Sequence, residues 1–587
     1  MDNISSNSSV TCTSYIYSEN VINYLIKYDN DLNRITNLVK PDCINLINDF
    51  FLVAYKTLQE NDTLLDATYR YGYNNVPKCY GLMDISGVTE IGADVVANLP
   101  GLSLTGEGTI IGFIDTGIQY TNPIFINSDG TTKIKGIWDQ SEASLGIGPA
   151  IFGYGAEYSE EMINTALASE SPLDIVPHRD ENGHGTFLAS IAAGKSDPEE
   201  PFRGIATDAD ILVVKLKQAK NNLKEANLIK SNTPCYSEDD IILGIKYLIA
   251  KATTLNKPLI ICLAIGTNQG DHNGNTHLEQ YISSYVSLRG ICVVSAAGNE
   301  LGYRKHFLGG VVNPEQTTSE SVEISVESES KGFTIEVWGN SPSILDITVT
   351  SPTGETFDQI SNNRDSISKY NFLYEGTSLF VLNTYADQNS KDQVILLRFD
   401  NPSQGIWTIN VDETLSFLGK GFNAWLPINQ FIDGTINFVR SNPNTTICSP
   451  GNSLGVITAA GYNHYTGALY TYSSRGYTRK GRIKPDITAP AVNVQGIYST
   501  SSSNTNNILY TRKSGTSVAS AFLAGAASLI MEWAVIKGNL PDANTEIIKQ
   551  FLIRGARDEA DIDYPNPSWG WGVLDILQSF ENYRQIQ

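Results

Sequence analysis

The sequence predicts an α/β fold in which helices flank a parallel sheet, preceded by a small α+β unit and interrupted by a β module. Between about residues 108 and 300, short continuous apolar runs alternate with amphipathic stretches at helical spacing, which is typical of strands and helices around a parallel sheet. From about 311 to 441, apolar and polar residues alternate singly between Pro, Gly and Asn turns. The α/β pattern then returns, so the β module is an insertion.

The first unit covers residues 1–75. Two apolar segments, VINYLIKYDND and NLINDFFLVAYKTL, are predicted to be strands, and the polar segment DLNRITNLVKPD separates them. A proline-containing stretch, YGYNNVPKCYGLMD, follows and is predicted to be extended. We therefore expect a small α+β domain that ends in an extended connection.

Residues 76–310 form the first part of the α/β domain. Helices are predicted at 238–257 and 277–290, the second with Gly290 as its C-cap. Buried strands are predicted wherever β-branched or aliphatic residues run almost without interruption, at 108–115, 210–217, 258–266 and 291–299.

Residues 311–441 are predicted to form a β sandwich or jelly roll, since no convincing helical pattern interrupts the alternating segments. Such a module could bind carbohydrate, or it could serve as a rigidifying structural element, and the second interpretation is favoured. Residues 442–587 complete the α/β domain, with a buried strand at 454–462 and a long helix at 514–537 that begins with small residues.

Charge and patterning exclude several functional classes. The 587 residues include 41 basic and 63 acidic side chains, a net charge of −22, which argues against nucleic acid or an anionic membrane as the main partner. No apolar run approaches the roughly 18 to 20 residues of a membrane span. The N-terminus shows neither a basic region nor an apolar core of a secretory signal. We therefore expect synthesis to end in the cytoplasm.

The cysteines predict no redox or metal chemistry. There are seven of them, widely spaced and without a CxxC pair, so neither a disulfide framework nor a zinc site is predicted. Five of the six histidines show no metal-ligand spacing, and the loop DHNGN (271–275) is rich in oxygen atoms but lacks the spacing of a calcium loop. We expect no cofactor and no metal, and we expect the loop to border a substrate cleft.

Three residues carry the predicted chemistry. Asp115 ends the first strand in FIDTG, His184 begins a helix in NGHGTFLAS, and Ser517 begins another in SGTSVASAF. A serine hydroxyl needs an adjacent base to act as a nucleophile, and that base needs an acidic partner to orient it. Taken singly, the three would be interpreted as a turn residue, a buried core histidine and a helix N-cap. Together they supply nucleophile, base and orienting acid.

A fourth residue, Asn299, follows the strand at 291–299 in the segment SAAGNE. Its amide could donate to the oxyanion that forms when Ser517 attacks a carbonyl, with the Ser517 backbone N–H as second donor. Alone, Asn299 could equally be a turn residue. Strand carboxyl ends are where open α/β sheets bind ligands, so we expect these motifs to meet at one edge.

FIDTGI, NGHGTFLAS, AAGN and SGTSVASAFLAG, in the order Asp, His, Asn, Ser, resemble the subtilisin-like serine proteases, the subtilase family. GRIKPDITAPAVNVQG and SWGWGVLD are also similar to family segments. The resemblance implies a subtilisin-like fold and a catalytic triad of Asp115, His184 and Ser517 with Asn299 in the oxyanion hole. It also implies substrate-binding segments at Ala264, Ile265 and Gly266 and at Ala296, Ala297 and Gly298. The family usually has Ser-Leu-Gly where this chain has Ala264-Ile265-Gly266.

The insert, the N-terminal unit and the segments KCYGLMD, GIWDQSE, GTNQGDHNGNTHLE and GNELGYRKHF resemble the Csp germination proteases of anaerobic spore-forming bacteria. This implies a spore protease whose prodomain, residues 1–75, chaperones folding and stays bound after autocleavage. It implies a cortex-lytic hydrolase zymogen as substrate, other Csp-type proteins as partners, and a location in the spore cortex or coat. We expect autocleavage between about residues 66 and 80.

Two alternatives stay open at this point. Csp-type proteins include members without a full triad, so a pseudoprotease that acts as a germination signalling scaffold is one alternative, which the complete triad disfavours. A general degradative subtilase is the other. The substrate, the residue preference before the cleaved bond and the oligomeric state are not encoded in any pattern found in the sequence.

Overall fold

A computed structural model describes residues 12–28, 31–58, 64–82, 91–98, 102–143, 148–149, 151–197, 202–310, 319–359, 364–415, 421–499 and 508–584. Within these residues the chain forms three units packed on one another. They are the N-terminal unit (residues 12–82), the α/β unit, and the insert (residues 306–438).

The α/β unit is built on a mostly parallel sheet, as predicted. Its two antiparallel members are the edge strands Ala468–Leu469 and Ala156–Ser159. From edge to edge the strands are Ala468–Leu469, Ile457–Asn463, Ile291–Ala296, Leu259–Leu263, Ile110–Asp115, Asp210–Lys215, Ile134–Asp139 and Ala156–Ser159, with Ile487–Pro490 also paired to Ile457–Asn463.

Alternate residues of Ile110–Asp115, the central strand of the sheet, face two different cores. This explains the continuous apolar sequence of the strand. Ile111 and Phe113 pack into a core with helices His184–Ala193 and Thr516–Met531. Ile110 and Ile114 pack on the other side, in a core with helix Glu238–Leu255. The remaining helices of the α/β unit are Ala93–Asn98, Glu160–Leu167, Pro172–Ile175, Asn221–Ala226, His277–Ser283, Thr545–Arg554 and Ile576–Arg584.

Helix Thr516–Met531 continues as a π-helical turn to Ile536. By length and composition, Thr516–Ile536 could cross a membrane, although the sequence analysis found no such run. However, 83% of its most apolar window is buried inside the molecule. Its small residues allow close packing: a Cβ at Gly525 would lie 2.6 Å from the Cβ of Ile205. The helix therefore serves as a core element.

The insert is a sandwich of two antiparallel sheets around its own apolar core. Its first strand, His306–Gly309, begins five residues before the predicted boundary at 311. One sheet contains His306–Gly309, Phe422–Trp425, Gly332–Trp338, Val394–Asp400, Thr377–Thr384 and Ser366–Phe372. The other contains Thr356–Gln359, Ile344–Thr350, Gly405–Leu415, Ser319–Val326 and Ile436–Phe438.

The N-terminal unit differs from the prediction in two ways. The predicted strand NLINDFFLVAYKTL is a hairpin, because the turn at Asn48 reverses the chain, with Asn48 Oδ1 accepting the Phe50 and Phe51 N–H groups at 2.9 and 2.8 Å. The polar segment before it contains helix Leu32–Val39, which turns Ile35 and Val39 inward. The unit comprises strands Val21–Lys27, Cys43–Leu46 and Phe51–Thr57 and helices Thr13–Ile16, Leu32–Val39 and Leu64–Tyr71.

Two further expectations are corrected. A disulfide joins Cys12 to Cys43 within the N-terminal unit, where no disulfide was predicted, since spacing alone does not show that residues 31 positions apart meet. Helix His277–Ser283 has Ser284 as its C-cap, so Gly290 does not cap it. Gly290 instead begins the next strand region, where its N–H donates to the Ala543 carbonyl.

Candidate active site

Asp115 and His184 form a buried pair at the carboxyl edge of the sheet. Asp115 ends the central strand, and His184 begins its helix directly after Gly183, which has a φ of +79°. His184 Nδ1 lies 2.7 Å from Asp115 Oδ1. Because the carboxylate only accepts, a neutral imidazole carries its proton on Nδ1 here, which makes Nε2 the basic nitrogen.

Asp180, which the sequence analysis did not single out, holds the two loops of this pair together. Its Oδ1 accepts from Thr116 Oγ1 at 2.7 Å and from the Gly183 N–H at 2.8 Å. Its Oδ2 accepts from the N–H and Oγ1 of Thr186 at 2.9 and 2.7 Å. Asp180 therefore binds the first turn of the His184 helix and the residue after Asp115. An acidic residue shortly before a helix start is the pattern that could have indicated it.

Ser517 is the second residue of helix Thr516–Met531 and is fully buried. Its Oγ makes no hydrogen bond with any residue that the structure describes, and catalytic hydrogen bonds are often unmade before substrate is bound. The helix N-terminus directs backbone N–H groups and the positive end of the helix dipole to this position. Negative charge that develops beside Ser517 is therefore stabilised.

The amide of Asn299 is oriented by Thr516, another residue that the sequence analysis missed. Asn299 Oδ1 accepts from the Thr516 N–H at 3.0 Å and from Thr516 Oγ1 at 3.1 Å. Thr516 Oγ1 in turn accepts the Gly298 N–H at 3.1 Å. Since Oδ1 is bound to Thr516, the donating Nδ2 is at the opposite end of the amide. That is the orientation an oxyanion donor requires.

The structure places the predicted segment Ala264–Gly266 along an extended segment of the N-terminal unit. Ile265 pairs with Leu82 and Gly266 with Gly81 in antiparallel register. On its other side, the extended segment of the N-terminal unit pairs with the α/β unit again, Cys79 with Ser237 and Tyr80 with Tyr236. Residues Cys79–Leu82, which we call the docked strand, thus occupy a slot between two strands of the α/β unit.

The second predicted substrate-binding segment, Ala296, Ala297 and Gly298, has backbone groups that are bonded within the α/β unit. The Ala297 N–H donates to the Ala459 carbonyl, and its own carbonyl accepts the Cys448 N–H, both at 2.9 Å. The Gly298 carbonyl accepts the Ser474 N–H at 2.8 Å. Because these backbone groups are already bonded, the segment can form a wall of the site but cannot add a substrate strand.

The docked strand and Lys78, the residue before it, are held by both the α/β unit and the insert. The N–H of Lys78 donates to Glu238 Oε2 at 3.1 Å, and the Glu238 N–H donates to the Lys78 carbonyl at 3.0 Å. From the insert, Gln430 Nε2 donates to the Leu82 carbonyl at 3.2 Å. A Cβ at Gly81 would lie 1.9 Å from Gln430 Nε2, so only glycine fits there without a shift.

The predicted cleavage window at 66–80 does not coincide with this arrangement. Much of it is helix Leu64–Tyr71 and the turn Tyr73–Asn75, whereas proteases bind extended chains. The extended part is Cys79–Leu82, and residues 83–90 beyond it lie outside the described residues. A bond that follows Leu82 fits the paired strand better.

No group of three or more potential metal-binding side chains occurs in the described ranges. In the loop at 271–275, Asp271 Oδ1 accepts the Asn273 N–H at 3.0 Å, and Asp271 Oδ2 accepts from Asn275 Nδ2 at 2.6 Å. His272 stacks on Trp425 of the insert, with ring centroids 4.1 Å apart. The loop therefore packs against the insert.

A sequence model of the subtilase family matches residues 106–403 and 427–572. The chain belongs to the subtilase family. The predicted identification as a subtilisin-like serine protease is thereby confirmed, as is the predicted fold.

Among solved structures, the chain is similar to the CspB protease of Clostridium perfringens, with 29% identity and a TM-score of 0.71 over 83% of this chain and 97% of that one. It is 24% identical to the PII-type proteinase of Lactococcus lactis subsp. cremoris over 555 residues, which cover 83% of this chain and 26% of that proteinase. It is 24% identical to the C5a peptidase of Streptococcus pyogenes serotype M18 over 522 residues, 81% of this chain and 40% of that peptidase. The chain thus spans a quarter to two-fifths of these curated relatives.

Proposed function

We propose that this subtilase is an active serine endopeptidase made as a zymogen, which cuts its own chain after Leu82 and keeps the N-terminal unit bound as a prodomain. The observation that carries this proposal is the docked strand, which lies in antiparallel register against Ile265–Gly266. An extended chain held at the carboxyl edge of the sheet, the edge where Asp115 ends its strand, is arranged as a substrate would be.

The geometry supports acyl transfer through Ser517. His184 Nε2 removes the proton from Ser517 Oγ as the oxygen attacks the carbonyl carbon, and Asp115 stabilises the imidazolium that forms. Asn299 Nδ2 and the Ser517 N–H donate to the oxyanion of the tetrahedral intermediate. His184 then protonates the leaving amine. Water attacks the acyl-enzyme by the same route and releases the carboxylate.

The contacts of the N-terminal unit favour retention after cleavage. Lys220 Nζ, buried in the interface, donates to the Tyr15 carbonyl at 2.9 Å and to Asn23 Oδ1 at 2.8 Å. Asn23 Nδ2 donates to Asp239 Oδ2 at 2.7 Å. Tyr73 Oη donates to Glu336 Oε1 of the insert at 2.5 Å. Cutting one bond after Leu82 removes none of these contacts.

Once the cleft is open, we propose that the enzyme activates the zymogen of a cortex-lytic hydrolase by limited proteolysis in the bacterial spore. Similarity to the CspB protease over nearly all of that chain supports this substrate class, as do the motifs that resemble Csp germination proteases. Mixing purified enzyme with such a zymogen should yield one new N-terminus, and no cut should appear with the Ser517→Ala protein. Extensive degradation would favour a general degradative subtilase.

Intact-mass measurement of the purified wild-type, Ser517→Ala and Ser528→Ala proteins tests the autocatalytic step. Ser528 lies on the same helix about three turns further along, so it controls for the substitution. Wild type and Ser528→Ala should show two masses that sum to the full chain plus water, with a cut after Leu82. Ser517→Ala should stay a single chain. If all three remain intact and none reacts with a fluorophosphonate, the pseudoprotease alternative replaces the proposal.

A further inference from the structure

A second buried Asp–His pair lies beside the catalytic one. His178 Nδ1 is 2.7 Å from Asp139 Oδ2, and their side chains are 0% and 5% exposed. Asp115 and Asp139 both end strands that flank Asp210–Lys215, and in each pairing the aspartate is opposite Lys215. The two aspartates therefore stand at the same level on the carboxyl edge of the sheet, one strand apart.

The second pair contacts the loop that follows the catalytic aspartate. His178 Nε2 accepts the N–H of Ile118 at 3.2 Å. Gly117 has a φ of +116°, and a Cβ there would lie 3.0 Å from His178 Cε1. Because a backbone N–H can only donate, Nε2 must be unprotonated and Nδ1 must carry the proton toward Asp139. The ring is thus neutral, with the tautomer set by the carboxylate.

We propose that His178, held by Asp139, is a positioning residue for catalysis that fixes the Asp115–Ile118 loop and through it the orientation of Asp115. The link to the triad is short. Asp115 Oδ1 accepts both the Thr116 N–H at 2.8 Å and His184 Nδ1. A shift of the loop backbone therefore moves the carboxylate that orients the base.

The surrounding charges keep Asp139 ionised. Burial opposes the charged form, but the hydrogen bond from the neutral His178 ring, aided by Lys215 and Ser141, outweighs it and holds the pKa of Asp139 below its ordinary value. Lys215 Nζ lies 3.7 Å from Asp139 Oδ2 and also bonds the Arg179 carbonyl and Glu181. Tyr158 packs against the His178 ring from the neighbouring strand.

A pair that merely stabilised the core would not need an acceptor aimed at this loop. His178 and Asp180 are two residues apart in the segment that leads to His184, and both bind the segment that follows Asp115. The segments that carry the acid and the base are thus tied at two points. A misplacement of about 1 Å at a reacting group can lower turnover about 10²-fold.

Two substitutions separate the two bonds of His178. In His178→Gln the amide oxygen can occupy the Nε2 position and accept from Ile118. In His178→Asn the shorter amide can reach Asp139 but not Ile118. We expect His178→Gln to keep kcat for an activated peptide ester within about threefold of wild type, and His178→Asn to lose at least about tenfold. KM should stay unchanged in both, because the Ile265–Gly266 segment is elsewhere.

The protein is the full chain, and a fluorophosphonate titration of Ser517 gives the fraction of competent sites. His306→Asn is the matched control, since His306 is buried in the insert and also hydrogen-bonds a side chain, Asn423 at 2.9 Å. Equal kcat values for His178→Asn and His178→Gln overturn the proposal. The proposal is also overturned if His306→Asn, at the same thermal midpoint, loses as much kcat as His178→Asn does.

Asp139 provides a second test if His178→Asn does not fold. Asp139→Asn keeps an acceptor for Nδ1–H and should retain kcat within about threefold, whereas Asp139→Ala should lose at least about tenfold. An Asp139→Ala enzyme with wild-type kcat overturns the proposal. The inference rests on the proposed endopeptidase activity. Failure of that activity would show as an inactive wild type, whereas failure of the positioning role would show as active, indistinguishable variants.

Discussion

Asp115 and Asn299, two of the predicted catalytic residues, are oriented by neighbours that are not predicted to do chemistry themselves. Asn299 illustrates this, because the Thr516 N–H and hydroxyl hold its Oδ1 and so determine which end of the amide donates. The same threonine accepts the Gly298 N–H. A single threonine therefore connects the segment that carries Asn299 to the helix that carries Ser517.

Asn299→Ala should leave the fold intact and slow acylation about 10²–10³-fold, the effect measured when the equivalent donor is removed from subtilisin itself. Thr516→Val should have a smaller effect, about tenfold, because the Thr516 N–H still holds the amide. The rate of reaction with an activated peptide ester measures both. Unchanged turnover in Asn299→Ala would remove this residue from the mechanism.

Lys133 is a buried amine that binds the C-terminal end of helix His184–Ala193. Its Nζ donates to the carbonyl of Ala193, the last residue of helix His184–Ala193, and to the Thr207 carbonyl at 2.6 Å. Burial, followed by the charge of Lys195, lowers its pKa from 10.5 to about 7. The amine is therefore partly neutral near neutral pH in the folded protein.

This shift makes stability depend on pH. Between pH 7 and 10.5 the unfolded chain keeps the Lys133 proton that the folded chain has lost, so the free energy of unfolding rises with pH. From pH 7 to 9 the contribution is about 2 kcal/mol. In a Ser517→Ala background, which prevents self-digestion, Lys133→Met should lack this rise in urea unfolding. If the free energy of unfolding differs between Ser517→Ala and Ser517→Ala with Lys133→Met by an amount that stays constant with pH, Lys133 is not the source of the pH dependence.

At the scale of elements, the docked strand is the part of the N-terminal unit that pairs between two strands of the α/β unit. It is short, but it is paired along both edges and covered by the insert. Gly81 is the point of closest approach, where a Cβ would lie 1.9 Å from Gln430 Nε2 and 2.8 Å from Ile428 Cδ1. The absence of a side chain at Gly81 is what permits the insert to close over the strand.

Gly81→Ala should loosen the docked strand. Gln430 must move and give up its bond to the Leu82 carbonyl, and a lost hydrogen bond with local crowding amounts to about 1 to 2 kcal/mol. Amide hydrogen exchange at residues 79–82 of the Ser517→Ala protein should accelerate about tenfold. A double variant, Gly81→Ala with Gln430→Ala, should relieve the crowding against Gln430 but not the crowding against Ile428. Only part of the strain should therefore be reversed. Exchange rates equal to those of the parent would show that the insert does not clamp this strand.

At the scale of the whole molecule, the insert joins the other two units. Its two ends meet, with the Phe438 N–H donating to the Arg304 carbonyl at 3.2 Å and the Asn442 N–H to the His306 carbonyl at 2.8 Å. The insert makes two further contacts with the α/β unit besides the one with the docked strand. Asn268 Nδ2 donates to the Leu426 carbonyl of the insert at 3.1 Å, and the Asn429 N–H of the insert donates to Glu300 Oε2 at 2.9 Å. None of these contacts involves a triad side chain.

Replacing residues 306–438 with a short Gly/Ser bridge should therefore lower the thermal midpoint and release the N-terminal unit more readily, because the apolar contact area and the Leu82 contact are lost. The folded fraction should still react with a fluorophosphonate at Ser517. Limited proteolysis and differential scanning calorimetry measure the first effects. A deletion variant as stable as the parent that fails only to cut the hydrolase zymogen would make the insert a recognition module.

The sequence alone predicted the parallel sheet, the β insert and the order of the triad motifs. These features repeat over short windows: buried strands such as Ile110–Asp115 are continuous apolar runs, and Asp115, His184 and Ser517 stand at strand or helix ends that local composition reveals. The family resemblance then assigned Asn299 its role. Features that depend only on a residue's own local segment can be predicted from the sequence in this way.

Tertiary structure decided what depends on distant parts of the chain. The Cys12–Cys43 bond, the placement of Cys79–Leu82 against Ile265–Gly266, and the early start of the insert at His306 each require pairing between separate segments. The same holds for Asp180, Thr516 and His178, whose partners lie on other loops. Periodicity reports which face of a segment is apolar, but it carries no information on which segment lies opposite, so only the packed chain shows these contacts.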